Sequence, residues 1–160
     1  MHRAVVRIGL AVALGVSTTL AMGPELIGKP APGFTLTSVD GRSTLSLAEL
    51  RGHVVIIDFW ASWCAPCSRS LPQLAAFEAK LSGVRILAVN IDDVRENAVE
   101  FLKQHRVKLT SLYDDTKRVA GRYNVPAMPS AVVVDRYGVV RFVHAGYTGL
   151  LKEDAYEQVH

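Results

Sequence analysis

Residues 53–67 read HVVIIDFWASWCAPC. Residues 53–60 are apolar and β-branched almost throughout, which predicts a central strand covered on both faces. Residues 58–67 then hold the only two cysteines of the 160-residue chain, Cys64 and Cys67. A cross-link over so short a loop removes little chain entropy, so the pair is not a staple for the fold. One acid, Asp58, interrupts the apolar run six residues before Cys64. The strand therefore carries an acid and delivers the chain into a cysteine pair, and the rest of the sequence has to say for which chemistry.

Downstream, Leu71, Leu74, Ala75, Phe77 and Leu81 recur at helical spacing, with Gln73 and Lys80 turned away. This predicts a helix over residues 64–81, kinked but not ended by Pro72 and closed by Ser82-Gly83. Cys64 at the start of that helix faces free amide N–H groups and the positive end of the dipole, which favour the thiolate and lower the thiol pKa. Cys67, one turn further in, lies on the same face, more buried, and is placed to attack a mixed disulfide on Cys64. Pro66 is tolerated in a first helical turn and stiffens the loop. Trp63 shields one side of the Cys64 sulfur; plain packing against the domain is the alternative. Asp58 is buried whichever face it points to. Desolvation raises its pKa and makes it a proton acceptor for Cys67; a structural acid paired to a backbone amide or a lysine is the alternative.

Other chemistry for the pair fits less well. A zinc site needs about four ligands, and there is no second Cys pair and no H-x3–5-H spacing among His53, His105 and His144. These histidines read as surface or strand-edge residues. Haem attachment needs a histidine after the second cysteine, where Ser68 stands. Thiol–disulfide exchange remains, with the Cys64–Cys67 pair itself as the redox group and with neither a metal nor a separate cofactor expected.

The length suits one domain, and a hydrophobic fraction of 49% suffices for a core. The formal charge of +3 is local: two of the 18 basic residues are Arg3 and Arg7, and all 15 acids follow them. That argues against a nucleic-acid footprint, and Lys117-Arg118 reads as solvated surface. The basic start, the apolar residues 8–21 and the small-x-small Thr19-Leu20-Ala21 have the layout of a secretory signal peptide, or of a signal anchor if it is retained. Residues 1–23 are thus expected to be a leader, 24–32 a Pro/Gly-rich linker and 33–160 the working domain. The domain is expected outside the cytoplasm, periplasmic or held to the inner membrane facing the periplasm, where disulfides persist.

Along the domain, residues 34–36 and 43–47 flank Asp40-Gly41 and predict a hairpin. Residues 84–91, 109–112, 131–135 and 139–143 read as strands. Residues 95–105 (with Val99, Phe101 and Leu102 as the apolar face), 116–123 and 151–159 read as helices. The alternation indicates an α/β domain with a mixed sheet between helices.

These residues carry a family likeness. DFWASWCAPC resembles the active-site segment of thioredoxin-fold thiol–disulfide oxidoreductases, and its flanks resemble the exported TlpA/ResA-like branch. That branch opens with G-x-x-A-P-x-F-x-L, matched by GKPAPGFTL at residues 28–36, then a D-G hairpin, matched by Asp40-Gly41. Residues 95–112 could supply its central helix–strand insertion. VPAMPS at residues 125–130 stands where the family places a cis-proline opposite the cysteines. The likeness runs over about residues 28–158. It implies a thioredoxin fold with an N-terminal hairpin and that insertion, and a cis Pro129 that leaves the Met128 backbone to pair with an extended substrate strand. Trp63, Ala65, Pro66, Met128 and Pro129 are then the expected partner-binding surface. The implied partners are protein thiols and disulfides, with an upstream membrane electron donor.

Three positions depart from the pattern. The glutamate common three residues after the second cysteine is Ser70, and the lysine that thioredoxins keep near the buried aspartate is Ala88, so proton handling falls to Asp58. Ala65-Pro66 replaces the Gly-Pro of thioredoxin, a dipeptide that helps set redox poise. The expected function is a monomeric extracytoplasmic oxidoreductase, with a reducing direction and a role in cytochrome c maturation implied by the resemblance. The alternatives are a thiol peroxidase of peroxiredoxin type, which shares the AP-x-F start but uses a P-x-x-x-T-x-x-C setting absent here, and a non-catalytic binding module or copper chaperone, whose C-x-x-x-C is one residue longer.

Overall fold

The β-branched run after His53 forms the middle of a seven-stranded sheet. The computed structural model describes residues 24–125 and 127–146; the leader and the helix expected over residues 151–159 lie outside them. In chain order the elements are β1 (Thr35–Ser38), β2 (Thr44–Ser46), β3 (Val54–Trp60), α1 (Cys67–Glu78), β4 (Val84–Asn90), α2 (Arg95–Gln104), β5 (Thr110–Tyr113), α3 (Arg118–Arg122), β6 (Ser130–Val134) and β7 (Val140–Ala145), with short 3-10 turns at Pro24–Leu26 and Leu47–Leu50. The strands lie in the order β2-β1-β5-β4-β3-β6-β7. β3 runs parallel to β4 and antiparallel to β6, and β4 runs parallel to β5. The hairpin β1–β2 adds antiparallel to β5, so the helix–strand insertion α2–β5 is what joins the hairpin to the rest of the sheet.

All seven residues of β3 are buried, which is why its sequence does not alternate. Val54, Ile56 and Trp60 face α1 and α2 with Leu71, Leu74, Ala98 and Phe101. Val55, Ile57 and Phe59 face the other layer, where α3 contributes Val119, Ala120 and Tyr123 seals the end. Leu71 and Leu74 are almost wholly enclosed, and each contributes about 1.5–3 kcal/mol by burial. This fixes α1, and with it the cysteines, against the end of β3.

The turns follow from their residues. Gly41 adopts φ +73° between β1 and β2, with Ser38 Oγ donating to Asp40 at 2.6 Å. Gly138 adopts φ +78°, and a Cβ there would fall 0.8 Å from the Arg51 guanidinium, which donates to the Tyr137 carbonyl. Residues 28–33 are laid along the far edge: Gly28 N–H donates to the Val140 carbonyl, Ala31 N–H to that of Gly138, and Tyr123 Oη to that of Pro32.

Two expectations need correction. α2 packs through Ala98 and Phe101, with Leu102 half-buried, whereas Val99 is 42% exposed. The stripe runs through residues 98, 101 and 102, so Val99 projects about 100° away from it. The third helix of the sequence reading, residues 116–123, shortens to α3, because Lys117 takes a left-handed conformation at φ 56° and so cannot lie within it.

Candidate active site

β3 ends at Trp60, and the chain turns through residues 61–66 before α1 begins at Cys67. The expectation of Cys64 as the first helical residue is therefore corrected. The turn is closed by Cys64 N–H donating to Ala61, Cys67 N–H to Cys64 and Ser68 N–H to Ala65. Pro66 is the N-cap and has no N–H to offer. Two of the amides near Cys64, those of Cys67 and Ser68, are spent on turn carbonyls, which leaves the dipole of α1 as the main influence favouring a Cys64 thiolate.

Cys64 and Cys67 are joined by a disulfide, with Cα atoms 5.3 Å apart. Cys67 is wholly enclosed and Cys64 is 4% exposed, so the pair has one accessible edge, and Cys64 forms it. Beside it Trp63 is 68% exposed, not packed into the domain. Ala65 is exposed and Pro66 half-buried at the mouth of the helix. The Met128–Pro129 peptide bond is cis. It immediately precedes β6, whose first residue Ser130 pairs with Phe59, so it lies at the same end of the sheet as the turn. The Pro129 carbonyl accepts from Gly146 N–H, while among the described residues no backbone hydrogen bond engages Met128.

Asp58 is fully enclosed, and among the described residues neither carboxylate oxygen has a hydrogen-bond partner. By its parity in β3 it points to the same face as Val54, Ile56 and Trp60, the face covered by Cys67 and Leu71. Its neighbours across the sheet are Ala88 of β4 and Ala131 of β6. No cation or donor offsets its burial, and desolvation pushes its carboxyl up to about 8. Among the described residues neither a backbone amide nor a lysine, the pairings of the structural alternative, meets its oxygens. Ser70 is buried, with its hydroxyl directed to the Cys67 carbonyl at 3.5 Å, and supplies no acid.

Asp92 is a site residue that sequence reasoning passed over. It is buried and accepts from Ser62 N–H at 3.0 Å, Ser62 Oγ at 3.0 Å and Asn90 Nδ2 at 2.9 Å, while Asn90 Oδ1 accepts from Asp92 N–H. This ties the turn before Cys64 to the end of β4. Leaving those buried donors unsatisfied would cost about 1–3 kcal/mol each, so the carboxylate holds the turn firmly. Two acids near one turn thus do different things: Asp92 is saturated with donors and structural, and Asp58 has none. Among the described residues the histidines do not converge on one another: the His105 ring lies tilted against Phe101 at 4.3 Å, His53 precedes β3 and His144 lies on β7, both half-buried.

A disulfide with one accessible sulfur, a buried second sulfur and an ionisable carboxyl on the same face is equipped for sequential thiol attack with internal proton transfer. Comparison with known proteins points the same way. A family model described as the AhpC/TSA family matches residues 27–143. The thiol-disulfide oxidoreductase ResA of Bacillus cereus is 32% identical over 116 residues, covering 71% of this chain and 66% of that protein, just under two thirds of its length. ResA of Geobacillus kaustophilus is 32% identical over 130 residues, 80% of this chain and 73% of that one. Among solved structures, that of a protein described as thiol:disulfide interchange protein DsbE from Chlorobium tepidum superimposes with a TM-score of 0.72 at 36% identity, covering 83% of this chain and 94% of that chain.

Proposed function

Because the chain belongs to the AhpC/TSA family, among relatives that are thioredoxin-fold thiol–disulfide oxidoreductases, we propose that it exchanges dithiol and disulfide with partner proteins outside the cytoplasm, as a reductant. The observation that carries this reading is the asymmetry of the pair: Cys64 at the accessible edge beside an exposed Trp63, and Cys67 enclosed over Asp58.

In the reduced protein the Cys64 thiolate attacks a disulfide sulfur of the partner. One partner sulfur leaves with the electron pair of the broken S–S bond, and a mixed disulfide forms. Asp58 takes the Cys67 proton, and the Cys67 thiolate attacks Cys64 Sγ. The Cys64–Cys67 bond forms as the bond to the partner breaks, so the partner gains two electrons and leaves as a dithiol. Trp63, Ala65 and Pro66 border the reacting sulfur, and the Met128 backbone next to Pro129 pairs with an extended partner strand. An electron donor at the membrane then restores the dithiol. The N-terminal leader, cleaved or kept as a tether, places the domain on the outer side, and the domain works as a monomer.

Partner trapping tests this. In a Cys67→Ser variant the mixed disulfide cannot resolve, so partners accumulate bound to Cys64 and are released by dithiothreitol. Extracytoplasmic proteins with cysteine pairs, including C-x-x-C-H haem-attachment segments, are the expected catch. A redox titration of the wild-type pair fixes the direction, since potentials in this fold run from about −270 to −120 mV. A pair at the oxidising end would overturn the reductant role.

The family match itself favours a second reading, a thiol peroxidase of peroxiredoxin type. The cysteine setting argues against it, since no P-x-x-x-T-x-x-C segment is present. Hydrogen-peroxide consumption no faster than that of a free dithiol is the expected result.

A further inference from the structure

Asp58 must lose the proton it takes from Cys67 before it can act again, yet it is fully enclosed. The sheet register shows a way out. Asp58 of β3 pairs with Ala131 of β6, and Ala131 pairs with His144 of β7. The three residues form one row across antiparallel strands, so their side chains share a face. Phe142, two residues from His144, packs on the same core layer as Ala131 and Ile56, and its ring stacks on the imidazole at 6.5 Å and 21°. Two strand spacings place the Asp58 and His144 Cα atoms about 10 Å apart. Within the row, Ala131 is the one residue between them, and its side chain is a methyl group.

Among the described residues both ends of this row carry buried polar atoms without a hydrogen-bond partner: the two Asp58 oxygens and His144 Nε2. His144 as a whole is half-buried, on the edge strand. Unpartnered buried atoms at the two ends of such a row are the kind of groups that hold one or two bridging waters. An imidazole accepts a proton on one nitrogen and releases one from the other, and its ordinary pKa lies near neutrality.

We propose that His144 is a positioning residue that relays the proton between Asp58 and solvent through a water bridge across Ala131. This rests on the thiol–disulfide function proposed above. In the relay the Asp58 proton passes through water to His144 Nε2, and Nδ1 gives a proton to bulk water; no redox change is involved. The other titratable groups on this layer have partners of their own or lie apart, among them Tyr113 of β5, whose hydroxyl donates to the Asp93 carbonyl. From α1 come Cys67 and Glu78, whose Oε1 accepts from Ile86 N–H. From the end of β4 comes Asp92, saturated by Ser62 and Asn90. On α2, His105 lies behind Phe101. β4 and β6 contribute Ile86, Ala88, Ala131 and Val133, which do not titrate.

The test follows ring closure in the full chain. Cys64 is loaded with 5-thio-2-nitrobenzoate at acid pH, the solution is jumped to between pH 6 and 9, and release of the coloured thiol reports the attack by Cys67. His144→Gln is expected to slow release about threefold to tenfold near pH 7 and to change the shape of the pH profile. His144→Ala, which opens a ring-sized gap, is expected to be slowed likewise and restored by free imidazole. In an Asp58→Asn background His144→Gln adds no further loss. Profiles that superimpose on the wild type, a loss in His144→Ala that imidazole leaves unchanged, or losses that multiply with Asp58→Asn would each overturn the relay. A wild type that fails to close the ring overturns instead the function on which the relay rests.

Discussion

Cys64→Ser reduces insulin-disulfide reduction in the presence of dithiothreitol to the rate of dithiothreitol alone. The argument is one of access and acidity. Cys67 is sealed beneath the turn and cannot reach a partner sulfur, so no second nucleophile takes over when Cys64 is lost. A serine hydroxyl does not ionise near neutrality, and the dipole of α1 is far too weak to make it do so. The substitution removes one sulfur atom from a residue whose backbone is held by Ala61 and Cys67, so the turn, the Asp92 clamp and the helix should persist. Loss of activity with an unchanged circular dichroism spectrum is the expected pair of results. Activity retained in the variant would mean that the pair is structural and that the assignment to thiol–disulfide exchange is wrong.

The cysteine pair and the acid proposed to carry the chemistry were legible because they depend on local spacing. Two cysteines at i and i+3, a proline between them, and a long apolar run ahead of them need no tertiary information. The fold class was legible for the same reason: β3, β4 and β6 are β-branched runs of the right length, and the helices between them carry an apolar stripe. Where the reading slipped, the cause was a competing local preference. Pro66 and the Ala61 carbonyl hold the chain in turns for three residues longer than helical periodicity suggests, so Cys64 stands before the helix. Lys117 cuts α3 short by adopting a left-handed conformation that no hydrophobic pattern reports.

What stayed hidden was everything set by pairing between strands. Asp92 lies 30 residues from Ser62 in sequence, and only the meeting of the β3 and β4 ends makes it a clamp. Asn90-Ile91-Asp92 could have been suspected from an acid just past a buried strand, but not its partners. The row Asp58, Ala131, His144 is invisible in one dimension, because it joins three strands scattered over the chain. The departure at position 88 was visible as a missing lysine; the register turned it into a physical statement, by placing a methyl group directly beside the buried carboxyl.

Asp58→Asn is expected to separate the two consequences of that burial. The first is stability. The carboxyl titrates near 4 in the unfolded chain and is pushed up to about 8 in the folded one by desolvation. A folded-state pKa above the unfolded one means that the group's stabilisation is complete below about pH 4 and is lost as pH rises to about 8. Over that window the oxidised wild type should lose about 1.4 kcal/mol per pH unit from this group, on the order of 5 kcal/mol in all. Asparagine does not titrate, so the variant's stability should lack this slope, and its advantage over the wild type should grow towards pH 8. Denaturant unfolding at pH 4, 6 and 8 measures it, and an identical slope in both proteins would assign the proton to another group. The second consequence is rate. Only ionised Asp58 can accept the Cys67 proton, so wild-type release of a partner from Cys64 should quicken as pH rises towards about 8. In the variant release near pH 7 should fall by about a hundredfold, the lower end of what general bases contribute, and should follow the titration of Cys67 alone. A variant that is more stable at pH 8 and slower at pH 7 identifies a carboxyl kept at the expense of stability because the resolving thiol needs it; unaltered turnover across pH would leave Asp58 a structural acid.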